Sequence, residues 1–221
     1  MEDALIINFK TYKESTANGA IKITKAAERA LKQAKGNIIL VPQTVDLREV
    51  AKTTKLKVFA QHTDLEERGG HTGSTNIDAL KLAGAKGVLI NHSEKRLPLR
   101  VIEKTIKLCK DKKMISVVCT KTIKETETIA KLKPDYIAIE PPSLIGGTIS
   151  ISKAKPELIK KAVQASKKIR LLCGAGVHEE EDVRVAKNLG SNGILVASGV
   201  IKAKNIEKEI ISLLKGFKTK N

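Results

Sequence analysis

The sequence predicts an α/β fold in which eight parallel strands close into a (β/α)8 barrel surrounded by helices. Eight short apolar runs recur along the 221 residues, and segments of helical length separate them. The runs are rich in Val, Ile and Leu and lack strict alternation, which is typical of parallel strands covered on both faces. The predicted strands are Ala4–Phe9, Asn37–Pro42, Leu56–Gln61, Lys86–Asn91, Met114–Thr120, Tyr136–Glu140, Ile169–Cys173 and Gly193–Ala197.

The segments between the runs carry apolar residues at helical spacing. One apolar face lies between Leu158 and Val163 and another between Val101 and Cys109, as expected for helices that pack on a sheet. Alternating strands and helices favour right-handed βαβ units, and eight strands are the number that closes this barrel. A doubly wound open sheet is the alternative, because periodicity alone does not distinguish the two architectures.

The chain carries 41 Lys and Arg against 24 Asp and Glu, which gives a net charge of 41 − 24 = +17. The basic residues are scattered, and aromatic residues make up only 2% with no Trp. Nucleic-acid-binding proteins concentrate basic residues on one face and add side chains that stack on bases. We therefore expect no nucleic-acid partner. A non-enzymatic basic protein that binds nucleic acid stays as an alternative. The charge would speed the approach of a phosphorylated anion.

Several features predict a cytoplasmic protein with no membrane partner. No apolar stretch approaches the roughly 18–20 residues that span a bilayer, and the acidic N-terminus lacks the basic flank of a signal peptide. Cys109, Cys119 and Cys173 lie in apolar runs, and three cysteines cannot all pair within one chain. We predict buried thiols of a reducing compartment.

Charged side chains follow three of the predicted strands. Lys10 follows the first strand, His92 follows the fourth and Glu140 ends the sixth. The active site of a parallel barrel lies at the C-terminal ends of its strands. A carboxylate, an imidazole and a cation in one pocket suit proton abstraction next to a carbonyl, with Lys10 balancing the developing negative charge.

The other histidines, His62, His71 and His178, lie in polar loops without metal-ligand spacing. We interpret them as hydrogen-bonded structural residues. The sequence contains no HExxH, CxxC or paired Cys and His array, so we expect no metal site.

Glycine-rich segments follow the last three predicted strands: Ile145–Thr148, Cys173–Gly176 and Ala197–Gly199. Glycine allows a phosphate to approach backbone N–H groups, and the last loops of a barrel often build a phosphate site. We predict such a site here. For any one of the three loops, a tight turn without ligand is the alternative.

Five motifs occur in order along nearly the whole chain: Asn8-Phe9-Lys10, Asn91-His92-Ser93-Glu94-Lys95-Arg96, Glu140–Thr148, Leu172–Val177 and Leu195–Gly199. With them the sequence resembles the triosephosphate isomerase family in its short archaeal form. The resemblance implies a single TIM-barrel domain over residues 1–221.

The resemblance also implies an activity, the interconversion of dihydroxyacetone phosphate and D-glyceraldehyde 3-phosphate in glycolysis and gluconeogenesis. The reaction would pass through an enediolate without metal or organic cofactor. Glu140 would move the proton, His92 would polarise the carbonyl, Lys10 would stabilise charge and Asn8 would orient the substrate. We expect a helix opening at Ser93 to keep His92 neutral through its dipole.

The substrate-binding residues implied by the resemblance are Asn8, Phe9, Lys10, Ile145, Gly176, Ala197 and Ser198. Longer members of the family carry Ser where Gly176 stands and Gly-Gly where Ala197-Ser198 stands. The sixth loop also lacks the Trp often found near its start. These departures affect the expected phosphate contacts more than the reaction.

The segments Gln61-His62 and Gly69–Gly73 resemble the family's third loop, which reaches into a neighbouring subunit. They imply a homo-oligomer, with a tetramer favoured and a dimer as the alternative. Another phosphate-binding barrel isomerase, of amino-acid biosynthesis, is the functional alternative. Its acid and base would lie on other strands.

Overall fold

Eight parallel strands form a closed barrel in chain order. The computed structural model describes residues 3–141 and 154–218. The first strand pairs in parallel with both the second and the eighth, so the sheet closes and the open-sheet alternative is excluded. The strands are β1 (Ala4–Asn8), β2 (Asn37–Val41), β3 (Lys57–Ala60), β4 (Gly87–Ile90), β5 (Ile115–Thr120), β6 (Tyr136–Ile139), β7 (Arg170–Cys173) and β8 (Gly193–Val196).

The structure confirms each predicted strand to within one residue at either end. The end residues that fall outside the strands are in part apolar, such as Phe9 and Ile169, and in part polar, such as Asn91 and Glu140. Glu140 follows β6, yet its N–H still donates to the carbonyl of Thr120 at 2.8 Å. The backbone of Glu140 is therefore held by the sheet although the residue lies beyond the strand.

Helices lie between the strands, as the periodicity predicts. They are α1 (Asn18–Gln33), α2 (Thr44–Thr53), α3 (Ile77–Leu82), α4 (Leu99–Asp111), α5 (Ile123–Lys131), α6 (Pro156–Ser166), α7 (Glu180–Asn188), α8 (Ser198–Ile201) and α9 (Ile206–Lys215). The predicted apolar faces are buried: α4 buries Ile102 and Ile106, and α6 buries Ile159 and Ala162.

Buried side chains form two layers. Strand residues that point into the barrel make an inner cluster of Ala4, Ile6, Ile39, Val41, Phe59, Leu89, Val117, Cys119, Tyr136, Ala138, Leu172 and Leu195. The alternate strand residues, such as Leu5 and Ile7, pack with the helices in an outer cluster. The inner cluster makes the barrel a packed core and not a pore, so that a ligand site has room only at the strand ends.

The three cysteines are free and buried, as predicted. Burial raises the thiol pKa of Cys109 and of Cys173 to about 12. In residues 3–141 and 154–218, the helices are too short or too polar to cross a membrane.

Candidate active site

Lys10, His92 and Glu140 line one cavity at the C-terminal end of the barrel. Each follows a different strand, β1, β4 or β6, and parallel pairing brings these strand ends to the same rim. Segments after β7 and β8 form the facing wall. The remaining lining residues are Asn8, Tyr12, Gly174–His178 and Leu195–Gly199.

Hydrogen bonds hold the backbone of Lys10, and an ion pair holds its ammonium group. Its φ of +48° is in the left-handed region, where most residues are strained by roughly 1–2 kcal/mol. Asn8 Oδ1 accepts from the Lys10 N–H at 3.0 Å, and Gln61 Nε2 donates to the Lys10 carbonyl at 2.9 Å. Lys10 Nζ lies 2.8 Å from Glu94 Oε1, and its side chain is 14% exposed. The cation is therefore held at the cavity with one face paired.

The imidazole of His92 is neutral at physiological pH. Burial of the ring and the positive charge of Lys10 lower the pKa of His92 to about 4, against the opposing charge of Glu94. Nδ1 accepts a hydrogen bond from the backbone N–H of Glu94 at 3.2 Å. Nε2 therefore carries the proton of the neutral ring. The ring presents a donor to the cavity, and that nitrogen is 3.6 Å from Glu140 Oε1.

The carboxyl group of Glu140 is 5% exposed. Burial raises the pKa of Glu140 to about 7, although a hydrogen bond with the Cys119 thiol and the charge of Lys10 act in the opposite direction. Oε2 is buried without a hydrogen-bond partner among the described residues. A carboxylate with a pKa near 7 and a free oxygen has the properties of a general base.

Gly174 makes room for the Glu140 side chain. A Cβ built on Gly174 would lie 2.5 Å from Glu140 Cγ and 3.2 Å from Oε1, and the first distance is far below van der Waals contact. The carboxylate therefore rests directly on the backbone that leaves β7. Any larger residue at this position would displace it.

The wall opposite these side chains is rich in backbone N–H groups. Gly176 has a φ of +64°, a conformation that glycine adopts without strain. Ala197 precedes the four-residue helix α8, which starts at Ser198, and the first N–H groups of a helix have no partner within it. These are donors suited to an anion. Ile145, also predicted as an anion contact, lies outside the described residues.

Metal ligands do not cluster in the part of the chain that the structure describes. In residues 3–141 and 154–218, no group of three or more His, Cys, Asp or Glu side chains is arranged to hold a metal ion.

A sequence model of triosephosphate isomerase matches residues 3–214, nearly the whole chain. The chain belongs to the triosephosphate isomerase family. The triosephosphate isomerase of Methanothermus fervidus is 46% identical over 214 residues, which are 95% of this chain and 96% of that protein. The one from Methanocaldococcus jannaschii is 46% identical over 215 residues, 96% and 98% of the two chains. The one from Methanobrevibacter smithii is 41% identical over 214 residues, 95% and 96%.

Membership of the triosephosphate isomerase family makes the protein an isomerase and confirms the resemblance on which the sequence-based site rests. The structure brings most of the predicted site residues to the cavity: Asn8, Lys10, His92, Glu140, Gly176, Ala197 and Ser198. Phe9 is placed differently. Its side chain is fully buried in the outer cluster, and its carbonyl accepts from Ser15 Oγ at 2.6 Å.

The structure corrects one expectation about the triosephosphate isomerase site. No helix opens at Ser93, because α4 begins at Leu99 after Pro98 and the intervening residues form a turn. His92 is neutral because it is buried near Lys10 and accepts from a single backbone N–H within this turn. His92 is therefore neutral, as predicted, but the cause is burial and the charge of Lys10 and not a helix dipole.

The residues that line the isomerase cavity without being predicted as site residues include Gly174, His178 and Tyr12. The sequence predicts Gly174 only as part of a phosphate loop, and His178 only as a structural histidine. Tyr12, whose ring centroid is 4.6 Å from Lys202 Nζ, was not singled out. A signal existed for His178 and Tyr12, since each lies two residues beyond a predicted site residue.

Of the other two histidines, His62 has a structural hydrogen bond, as predicted, whereas the structure shows no side-chain hydrogen bond for His71 within residues 3–141 and 154–218. His62 Nε2 is 2.8 Å from Asp64 Oδ1, and Asp64 in turn accepts from the N–H of Thr75 at 2.6 Å. His71 is exposed. His62 therefore organises the segment after β3, and neither residue lines the cavity that holds Glu140.

Proposed function

We propose that the protein interconverts dihydroxyacetone phosphate and D-glyceraldehyde 3-phosphate, with Glu140 moving a proton between the two carbons through an enediolate. One observation carries the proposal. The buried carboxyl of Glu140, with a pKa of about 7, lies 3.6 Å from the proton-bearing nitrogen of a neutral imidazole. A base beside a hydrogen-bond donor is what proton abstraction next to a carbonyl needs.

The proposal gives each neighbouring group one role. His92 Nε2–H donates to the carbonyl oxygen and stabilises the negative charge that grows there. Lys10 supplies a positive charge beside the same oxygen. Asn8 fixes the Lys10 backbone and orients the substrate. The side chain of Phe9 packs in the core. Phe9 would therefore contribute to the substrate site only through its backbone, which lies between Asn8 and Lys10.

The phosphate group of the substrate would bind to the wall that follows β7 and β8. The left-handed backbone of Gly176 and the start of α8 at Ala197 and Ser198 offer N–H donors to an anion. Ile145 would add a further amide. A glycine at position 176 provides no hydroxyl, so backbone donors would carry most of the phosphate affinity.

A coupled assay with purified protein tests the proposed reaction. We expect turnover of both triose phosphates, and the same rate after exhaustive treatment with a chelator because no step uses a metal or an organic cofactor. A properly folded protein that converts neither triose phosphate would contradict the proposal. That result would favour another phosphate-binding isomerase.

We also propose a cytoplasmic, single-domain protein that acts in glycolysis and gluconeogenesis and assembles as a homo-oligomer. The exposed residues Gly69–Gly73 suit a contact with a second copy. A second, wider cavity shares Lys10 and His92 with the first and is also lined by Gln61 and Thr75, so that such a contact would lie near the site. We expect light scattering to give four times the chain mass of 24.0 kDa. A 24.0 kDa particle at micromolar concentration would contradict assembly.

The value of kcat/KM should fall tenfold for each pH unit below about 7. Glu140 acts as a base only when ionised, and its pKa in the free protein is about 7. His92, with a pKa of about 4, stays neutral over this range. A plot of kcat/KM against pH should thus show one decrease on the acid side, the acid limb, that is caused by a group of the protein, Glu140. Initial rates between pH 5 and 9 provide the measurement.

The Cys119→Ala variant separates this limb from the ionisation of the substrate phosphate, whose second pKa is about 6. The hydrogen bond with the Cys119 thiol lowers the pKa of Glu140, so removing it should move the limb to higher pH. The substrate pKa is the same in both assays. Superimposable profiles would show that the limb does not belong to Glu140.

Gly174→Ala should lower kcat by about 10²-fold, because a misplacement of about 1 Å has that effect on a reacting group. The new methyl would meet Glu140 Cγ at 2.5 Å and push the carboxylate from its place. Gly36→Ala is the matched control, since its methyl would meet Leu214 Cδ2 at 2.6 Å before β2, at the opposite end of the barrel. The control should lose thermal stability and keep kcat. A normal kcat in Gly174→Ala would show that the base tolerates displacement.

A further inference from the structure

Asn91 holds a left-handed backbone conformation directly before His92. Its φ is +62°, and the residue is 2% exposed. Asparagine adopts this conformation more readily than most residues, but glycine adopts it without strain. The φ value alone therefore does not explain why a side chain, and in particular an amide, stands at this position.

The amide of Asn91 joins three separate segments. Nδ2 donates to the carbonyl of Cys119 on β5 at 2.8 Å and to Glu125 Oε1 on α5 at 3.2 Å. Oδ1 accepts from the N–H of Leu97 at 2.9 Å. One side chain thus ties the end of β4 to the end of β5 and to the far end of the turn that carries His92.

An ion pair holds the backbone of the same residue. Arg96 Nη1 donates to the carbonyl of Asn91 at 3.2 Å, and Arg96 Nη2 pairs with Glu125 Oε1. Glu125 Oε2 accepts from the N–H of Lys121 at 2.8 Å, which fixes the carboxylate. The Asn91 carbonyl and the His92 N–H belong to one planar peptide unit. The peptide plane between Asn91 and His92 is therefore held, through Arg96, by Glu125 on α5.

The ring of His92 has few anchors of its own in the described residues. Its Nδ1 accepts from the N–H of Glu94 at 3.2 Å, and its Nε2 is 3.6 Å from Glu140 Oε1. Glu94 lies in the same turn as His92, so this hydrogen bond moves with the turn, and Glu94 ties the turn only to Lys10, through an ion pair in which the Glu94 side chain is exposed. The anchor to the neighbouring strand and helix comes through Asn91.

We propose that Asn91 is a positioning residue for the isomerase reaction, its amide and carbonyl held by Glu125 and Arg96 so that His92 Nε2–H points at the substrate carbonyl. The inference rests on the proposed function, since it assigns His92 to that oxygen. Asn91 itself touches no reacting atom. Its effect is on the direction of the imidazole.

Asn91→Gly is the sharpest test, because glycine keeps the left-handed conformation and removes only the amide. We expect kcat to fall by about 10- to 100-fold through misorientation of His92, with KM changed by less than about twofold. Lys113→Gly is the matched control, since Lys113 has a φ of +55° and is exposed, away from the cavity. It should keep the kcat of the original protein.

Nuclear magnetic resonance of the ligand-free protein supplies a readout that does not depend on activity. The pKa of His92, about 4 in the intact site, should rise towards its ordinary value of 6.5 in Asn91→Gly as water reaches the freed ring. The charged groups around the ring, Lys10, Glu94, Arg96 and Glu140, are the same in both proteins. Glu125→Gln keeps an acceptor for the amide and breaks the ion pair with Arg96, so it should change kcat and the His92 pKa less.

An Asn91→Gly protein with unchanged kcat and an unchanged His92 pKa would overturn the proposal, as would an equal loss in Lys113→Gly. If Asn91→Gly does not fold, Glu125→Gln decides: a change in kcat and in the His92 pKa supports the proposal, and no change in either overturns it. If the unsubstituted protein has no isomerase activity, only the proposed function is contradicted. The effect of Asn91 on the His92 pKa is still tested, because that titration is measured without substrate.

Discussion

Replacement of Glu140 by glutamine is expected to lower kcat by about 10²–10⁴-fold, the range of general-base catalysis, with a small change in KM. The amide keeps the shape of the side chain and the packing on Gly174, but it cannot accept the substrate proton. The comparison of kcat with KM matters here, because a loss confined to kcat marks a group that acts in the transition state. Steady-state rates in both reaction directions provide the measurement.

Glu103→Gln is the control for the chemical change, since Glu103 is exposed on α4 and should have no effect. The free energy of unfolding gives a second check with a definite sign. The pKa of Glu140 is raised in the folded protein from 4.5 to about 7, so ionisation destabilises the fold increasingly as the pH rises between these values. Glu140→Gln should therefore be the more stable protein above pH 7, with that advantage gone below pH 4.5. Retention of most activity in Glu140→Gln would show that another group is the base.

Lys10→Met is expected to lower kcat/KM by about 10²–10³-fold, the effect of removing one group that stabilises developing charge. The ammonium is 14% exposed and already paired with Glu94 at 2.8 Å. Removal of the ammonium would also leave the Glu94 carboxylate unopposed beside the substrate. The positive charge of Lys10 lowers the pKa of both His92 and Glu140. The acid limb of the pH profile should therefore move to higher pH in Lys10→Met.

Lys13→Met is the control for net charge, because Lys13 is exposed just beyond the same loop and its loss lowers the charge by the same amount. If both variants lost activity equally, the effect of Lys10 would be long-range attraction of the phosphorylated substrate. We expect the Lys13 variant to stay within about threefold of the original protein, since exposed charges are screened beyond roughly 10 Å in ordinary buffers.

Much of the fold follows from local pattern, and the reason is visible in particular strands. Ile137 and Ala138 of β6 lie in the outer and inner clusters respectively, and both are fully buried. A strand covered on both faces must be apolar throughout, so that the runs can be read directly from the sequence. Closure into a barrel followed from the number of runs, and the pairing of β1 with β8 confirmed it.

The charged groups of the site could be predicted because each lies at the end of an apolar run. The residues that hold these groups in place could not be predicted. Gly174 matters because a Cβ at this position would lie 2.5 Å from Glu140 Cγ, and Asn91 matters through its hydrogen bond to the carbonyl of Cys119, 28 residues away. Such contacts depend on the closed barrel and leave no periodic trace. The helix α4 begins at Leu99 and not at Ser93, and the turn before it depends on the acceptor that Asn91 offers to Leu97.

Proton exchange with solvent tests the central claim most directly. Dihydroxyacetone phosphate is incubated with the protein in D2O, and the products are followed by proton nuclear magnetic resonance. If Glu140 carries the proton through an enediolate, deuterium should appear at C2 of D-glyceraldehyde 3-phosphate and at C1 of recovered dihydroxyacetone phosphate, and Glu140→Gln should slow both. Partial retention of hydrogen at C2 is compatible with Glu140, because a proton on a buried carboxyl can return to carbon before it exchanges. Equilibration over many turnovers with no deuterium at either carbon, at a rate that Glu140→Gln leaves unchanged, would contradict the role of Glu140.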